Sequence, residues 1–304
     1  MSILKPKQIA ELLERYRVTT GKKFKLDKYD PSDTAHHIID HTDADKLLAD
    51  GIARLAALQN RLYARNSSRM LVVLQSMDAG GKDGTIRHVL TGVNPQGVHV
   101  TSFKQPGPQE LAHDFLWRIH AHTPEAGMIG IFNRSHYEEV LVCRVHPELL
   151  QHQHLPNHRE GFSSPPGDKF WRHRLDDIAN WEKYLGRQGV VIVKLFLNLS
   201  RDEQKRRFLD RIDSPDKNWK FSAADLKERE SWDAYQAAFE SAIAATATDY
   251  APWYIVPADT KWFTHLVVVE ALIDALSALN LHYPALSPED QSRLQDARKA
   301  LEEQ

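Results

Sequence analysis

The chain has 304 residues, 42% hydrophobic and 26% charged, the composition of an ordinary globular protein with a sizeable core. Its formal net charge is -2 and its pI about 6.8, so no global basic field marks a nucleic-acid binder, and a polyanion would need a local cluster of Lys and Arg. The single Cys, Cys143, excludes an internal disulfide; with no apolar signal core and no apolar run of membrane-spanning length, a cytoplasmic protein without membrane contact is expected.

Residues 1–45 read as an N-terminal arm, with a helical piece at Gln8–Tyr16 followed by a polar stretch. His36–Asp45 (HHIIDHTDAD) lacks a tight metal-ligand spacing and reads as a solvated loop. From Ala44 to Ala64, Leu47, Leu48, Ile52, Leu55, Leu58 and Leu62 recur at helical spacing.

The organising stretch is Arg69–Leu90 (RMLVVLQSMDAGGKDGTIRHVL). An apolar strand ends in a Gly-bearing turn, and a Lys opens an amphipathic helix, the order of a phosphate-holding P-loop. Gly80 and Gly81 let the backbone bend close to an anion, Lys82 supplies a point charge, and the helix opening near Asp83 adds its dipole. The match to G-x-x-x-x-G-K-[ST] (Walker A) is imperfect. Ser76 stands at the first Gly, and Asp83 replaces the magnesium-binding Ser or Thr. Asp78, inside the loop, would be repelled by phosphate unless a divalent cation lay between them, so it is expected to bind magnesium.

Further strands are expected at Val98–Phe103, Met128–Phe132, Val190–Leu197 and Trp253–Val256. Helices are expected at Glu110–His122, Phe170–Leu185, Arg201–Ile212, Ala223–Ala247 and Phe263–Leu279. Apolar strands alternating with helices indicate a parallel sheet covered on both faces. The expected fold is therefore α/β: a P-loop kinase-like three-layer sandwich of about five parallel strands with a helical lid, in one domain spanning 1–304. The His-bearing, Pro/Gly/Ser-rich stretch 151–168 reads as a surface loop, and the charged helix at 285–304 as a solvated or oligomer-contact element.

Ligands in such sheets bind beyond the carboxyl ends of the strands. There, Asn133 and Arg134 follow the third strand: Asn133 completes the magnesium shell with Asp78, Arg134 stabilises phosphoryl charge, and Glu138 or Glu139 adds a metal contact. Asn133 as a simple helix cap is the plain alternative. In the lid segment 200–225, Ser200 and Glu203 form a capping box, Arg207 and Arg211 share a helix face while Phe208 and Ile212 offer an apolar side, and Lys217 and Lys220 follow in a turn. A helix carrying arginines that closes over phosphates would exclude water from the transfer.

The strings MDAGGKDGTIR (77–87), GVNPQGVHVTSF (92–103), FLWRIH (115–120), IFNRSHYEEVLVCRVH (131–146), RIDSPDKNWKFS (211–222) and YAPWYIVPADTKW (250–262) resemble the second polyphosphate kinase family, in its subgroup that phosphorylates nucleoside mono- and diphosphates. The resemblance implies phosphoryl transfer from inorganic polyphosphate to AMP or ADP, or to guanine equivalents, with Mg2+ or Mn2+, by a homo-oligomer (dimer or tetramer). Asp78, Lys82, Asn133, Arg134 and Arg211 match the catalytic positions, with Asp78 and Asn133 as metal ligands. Ala79, Gly80, Gly81, Asp83, Gly84, Glu138, Arg144, Arg207, Lys217 and Lys220 are taken as phosphate- or nucleotide-binding. Many relatives carry Asp where this chain has Asn133. An ATP-dependent monophosphate kinase and a non-catalytic polyphosphate or nucleotide binder are the rival readings.

Overall fold

The computed structural model describes residues 4–39, 41–155, 166–216 and 218–304. In chain order the elements are α1 (Pro6–Tyr16), β1 (Arg17–Val18), α2 (Ala44–Arg65), β2 (Arg69–Ser76), α3 (Lys82–Val89) and β3 (Val98–Ser102). Then come α4 (Pro108–Leu111), α5 (Trp117–His120), β4 (Ile129–Asn133), α6 (Glu138–Val145), α7 (Asp168–Arg187) and β5 (Val190–Asn198). The chain ends with α8 (Arg201–Asp213), α9 (Ala223–Glu230), α10 (Trp232–Thr246), β6 (Trp253–Pro257), α11 (Lys261–Ser277) and α12 (Pro288–Glu302).

The six strands form one sheet in the order β1-β6-β5-β2-β4-β3. All pairings among β2 to β6 are parallel, and the two-residue β1 adds an antiparallel edge to β6 that sequence patterning did not reveal. Because side chains alternate across a strand, β2 sends Met70, Val72 and Leu74 to one face and Leu71 and Val73 to the other. The first face is covered by α1, α2, α3 and α11, through residues such as Leu12, Leu55, Leu62, Val89 and Leu266. The second is covered by α6, α7 and α10, through residues such as Leu141, Ile178, Phe239 and Ile243. Burial on both faces makes the strands apolar throughout, and the result is the expected three-layer α/β fold.

Two helices differ from expectation. The stretch 110–122 holds only the four-residue helices α4 and α5, because the Asp114 carboxylate accepts from Leu116 N–H and draws the backbone into a turn. The helix expected over 223–247 breaks at Ser231: α9 buries no residue, whereas α10 turns Trp232, Tyr235 and Phe239 into the core. Among the described residues, no helix is long and apolar enough to cross a membrane.

In this strand order the neighbours β2 and β5 are followed by connections in opposite directions, to β3 and to β6. The crevice beyond their carboxyl ends is where such sheets receive ligands.

Candidate active site

The loop between β2 and α3 closes on itself through Gly80 N–H to Met77 O, and α3 starts from Gly81, whose φ of 97° lies in the left-handed region. Gly80 is needed for another reason. A Cβ there would stand 1.5 Å from Ser76 Oγ, the side chain that occupies the first-Gly position of the P-loop pattern and donates to Leu197 O. Ala79 holds a left-handed φ of 61°, and Arg134, across the crevice, one of 62°. Non-Gly residues held there cost about 1–3 kcal/mol each and persist where surrounding structure enforces them. For Ala79 that structure is Arg207 Nη1, which donates to its carbonyl at 3.0 Å; for Arg134 it is the bond from its own N–H to Leu74 O.

Lys82 Nζ lies against Ser76 O (3.0 Å) and Met77 O (3.4 Å). An ammonium has three donors, so one remains for an anion. Burial and the nearby Arg134 press its pKa below the usual lysine value, against the opposing pull of Asp78, Glu138 and Asp83. Arg134 reaches both loop and helix, with Nη2 3.1 Å from Asp78 Oδ1 and Nη1 3.6 Å from Glu138 Oε2. Burial works against its charge, but Glu138 and Asp78 outweigh burial and keep the guanidinium firmly protonated. Burial raises the Glu138 carboxyl above its ordinary range, with Arg134 and Lys82 opposing the shift. Asn133 Nδ2 donates to Asp83 Oδ1 at 2.7 Å, which leaves its amide oxygen as the available acceptor.

The structure thus brings Asp78, Lys82, Asp83, Asn133, Arg134 and Glu138 into one cluster at the β2 and β4 ends. Glu139 is not part of it: it turns inward to Arg174, Arg118 and Gln153, so of the two glutamates only Glu138 stands in the cluster. A Cβ at Gly84 would meet no neighbour within 4 Å.

Helix α8 packs on this cluster. Gln204 Nε2 donates to Asp78 O at 2.9 Å, and Arg207 joins Ala79 O to Ala258 O and Asp259 O while pairing with Glu203. Arg207 is buried, and its guanidinium clasps the loop backbone in this conformation. The expected capping box is half formed. Ser200 Oγ accepts from Glu203 N–H, but Ser200 N–H donates to Asp259, and the Glu203 carboxylate binds Arg206 and Arg207. Phe208 is buried, whereas Ile212 is exposed.

Arg211 lies over the Phe208 ring and 3.8 Å from Asp225, whose carboxyl is pushed up by burial and then by Asp78. Asp225 therefore links Arg211 electrostatically to the loop, a role that sequence inspection missed. Arg144 sits apart, donating to Ser241 Oγ and lying over Trp171. Lys217 falls outside the described residues, as does His158 of the expected His-bearing loop, and Lys220 closes the short turn Asn218–Lys220.

Beneath the Arg134–Tyr137 turn lies a buried polar network with no motif to announce it. Lys194, in the middle of β5, donates to Glu182 (2.6 Å), Thr246 O (2.7 Å) and Tyr137 Oη (3.2 Å). Tyr137 Oη stands 2.8 Å from both Glu182 Oε1 and Thr246 Oγ1, with a single proton to donate between them. Burial lowers the Lys194 pKa, while Lys194 and His136 hold the Glu182 carboxyl below its ordinary value against burial. A Lys in an otherwise apolar strand was the one available signal.

Among the described residues, no three His, Cys, Asp or Glu side chains stand together as a complete metal cage. Mg2+ characteristically takes one or two protein oxygens and completes its shell with water and phosphate. The partly exposed Asp78 carboxylate and the outward amide oxygen of Asn133 fit that requirement.

Residues 38–284 match the family model Polyphosphate kinase 2 (PPK2). The chain is 47% identical to the ADP-polyphosphate phosphotransferase of Rhodopseudomonas palustris, over 95% of this chain and 98% of that protein. It is 44% identical to the AMP/ADP-polyphosphate phosphotransferase of Meiothermus ruber, over 90% and 96% respectively. The crystal structure of polyphosphate kinase 2 from Arthrobacter aurescens superposes with a TM-score of 0.84 at 38% identity, covering 97% of this chain and 99% of that one. This chain belongs to the polyphosphate kinase 2 family.

Proposed function

We propose that this chain transfers the terminal phosphoryl group of inorganic polyphosphate to AMP and ADP, giving ADP and ATP. The observation that carries this reading is the cluster of Asp78, Lys82 and Arg134 beneath an arginine-bearing helix, in a chain similar along nearly its whole length to polyphosphate phosphotransferases.

In this reading the terminal phosphate oxygen of the acceptor attacks the terminal phosphorus of the donor. The bond from that phosphorus to its bridging oxygen breaks, and the shortened polyphosphate leaves with the electron pair. The nucleophile is already anionic, so no strong general base is needed, and the protein contributes positioning and charge neutralisation. Lys82 holds a donor oxygen with its unused proton, Arg134 neutralises charge on the transferring group, and Arg211 approaches from α8 with Asp225 as its resting partner. Asp78 and Asn133 would hold Mg2+, which when bound screens the charge between the phosphate groups. Closure of the segment 200–225 excludes water, and the active form is a homo-oligomer.

The test is to incubate the protein with Mg2+, polyphosphate and AMP, without ATP, and to follow nucleotides by chromatography. ADP followed by ATP, both abolished by EDTA, is the expected result, and GMP in place of AMP reports the base preference. Turnover of AMP with ATP but not with polyphosphate would overturn the donor assignment.

A further inference from the structure

One fully buried polar side chain in β2 has no task in the transfer scheme above. Gln75 follows the apolar run Met70–Leu74 near the carboxyl end of the strand and is wholly shielded from solvent. Alternation along the strand puts it on the face of Leu71 and Val73, the side covered by α6, α7 and α10. The sheet pairs Leu74 with Asn133 of β4 and Gln75 with Phe196 of β5. Gln75 therefore stands level with the point where the chain leaves β4 at Arg134.

What it touches is the turn that carries Arg134. Its Nε2 donates to Ser135 Oγ at 3.0 Å, and the same hydroxyl accepts from Tyr137 N–H at 3.2 Å. A hydrogen bond from the Gln75 side chain also reaches Glu138. Burial raises the Glu138 carboxyl, and Gln75 joins Arg134 and Lys82 in opposing that rise. Glu138 Oε2 in turn lies 3.6 Å from Arg134 Nη1. The preceding residue completes the hold, because Leu74 O accepts from the N–H of Arg134, whose φ is 62°. Two consecutive residues of β2 thus fix Arg134, one through its backbone and the other through Ser135 and Glu138.

Packing does not explain the amide. Gln75 Oε1 has no hydrogen-bond partner among the described residues. A buried acceptor left unpaired keeps its desolvation cost uncompensated, so an apolar side chain of similar volume would serve the sheet at least as well. What an apolar side chain would lose is the grip on Ser135 and Glu138. Left-handed backbone at a non-Gly residue persists where its surroundings enforce it, and Arg134 is such a residue.

We propose that Gln75 is a positioning residue for the phosphoryl transfer: its amide holds Ser135 and Glu138 so that the Arg134 guanidinium stays aimed at the transferring group. This rests on the role given to Arg134 above and adds the residue that acts through it. Being fully buried, Gln75 works on the turn and not on the substrate.

The test is the full-length Gln75→Met variant, which nearly keeps the side-chain volume and removes the amide. The expected result is a kcat for ATP formation from polyphosphate and ADP lowered roughly 10- to 100-fold, the cost of displacing an aligned group. The KM for each substrate stays at the wild-type value, since the interaction lost is one made in the transition state. The urea midpoint stays at or above that of wild type. Ser135→Ala breaks the same bond from the other side and should lower kcat similarly, with the double variant no slower than the slower single variant. An unchanged kcat in Gln75→Met overturns the proposal. So does a raised KM with kcat intact, or a loss of rate that only tracks the folded fraction. Losses that multiply in the double variant reject the link through Ser135. Should Gln75→Met fail to fold, Ser135→Ala decides alone, and a wild-type kcat there rejects the proposal. If the wild type transfers to AMP from ATP but not from polyphosphate, the donor assignment has failed, and the same kcat comparison with ATP decides the role of Gln75. A wild type inactive with both donors overturns the two together.

Discussion

At the residue scale, the departures of the loop from the common P-loop pattern compensate one another. Ser76 takes the volume that the first Gly would leave empty, and Gly80 must then lack a Cβ to receive it. Gly80→Ala is expected to destabilise the protein by about 1–3 kcal/mol through overpacking and to depress turnover. Ser76→Gly in the same chain should restore most of both, as read by thermal unfolding and initial rate; no rescue would show that the contact is not the cause. His265 provides a pH prediction. Burial, and then His88, push its folded pKa down to about 4, below the unfolded value near 6.5, so its contribution is present above pH 6.5 and is lost as pH falls towards 4. Between pH 7.5 and 5 the stability attributable to this group should drop by about 1–2 kcal/mol. Urea titrations at the two pH values should show a smaller drop in His265→Gln, and equal drops would contradict the assignment.

The phosphate loop, Asp78, Lys82 and Arg134 were legible because their chemistry is local: a strand, a glycine turn and charged groups at a strand end. What was not legible depends on contacts between residues far apart in sequence. Asp225 reaches Arg211 only after α8 and α9 fold against each other, and Glu139 differs from Glu138 only in which side of α6 it lies on. Gln204 binds the loop backbone, and nothing around it in the sequence distinguishes it from any polar helix residue.

At the element scale, the turn between β4 and α6 carries Arg134 and rests on the Lys194–Glu182–Tyr137 network. Removing one member of a buried ion pair leaves the other charge uncompensated, typically at about 3–5 kcal/mol. Lys194→Met should therefore be strongly destabilising. Lys194→Met with Glu182→Leu should recover much of the loss in chemical denaturation, whereas additive losses would mean that the two charges are not coupled. The sheet order and layering followed from apolar strands alternating with amphipathic helices, so the architecture was readable. The edge strand β1 was not, because two residues carry no period. Nor was the break at Ser231, which reflects which helix face meets the core.

At the scale of the whole molecule, α12 has no buried residue, yet it carries Leu294 and Leu301, both exposed and two helical turns apart. Under the proposed homo-oligomer, this stripe is the expected contact with a second copy. Deleting residues 285–304 should lower the number of subunits measured by light scattering; an unchanged subunit number would place the interface elsewhere.

The central claim is that phosphoryl transfer from polyphosphate takes place at the loop between β2 and α3. The most direct measurement is the initial rate of ATP formation from polyphosphate and ADP by Lys82→Ala, compared with wild type of matched folding. Loss of a phosphate-clamping charge at the transfer centre should cost about 3–4 kcal/mol of transition-state stabilisation, a rate reduction on the order of 100- to 1000-fold. A rate close to wild type would mean that the transferred group is held elsewhere in the molecule.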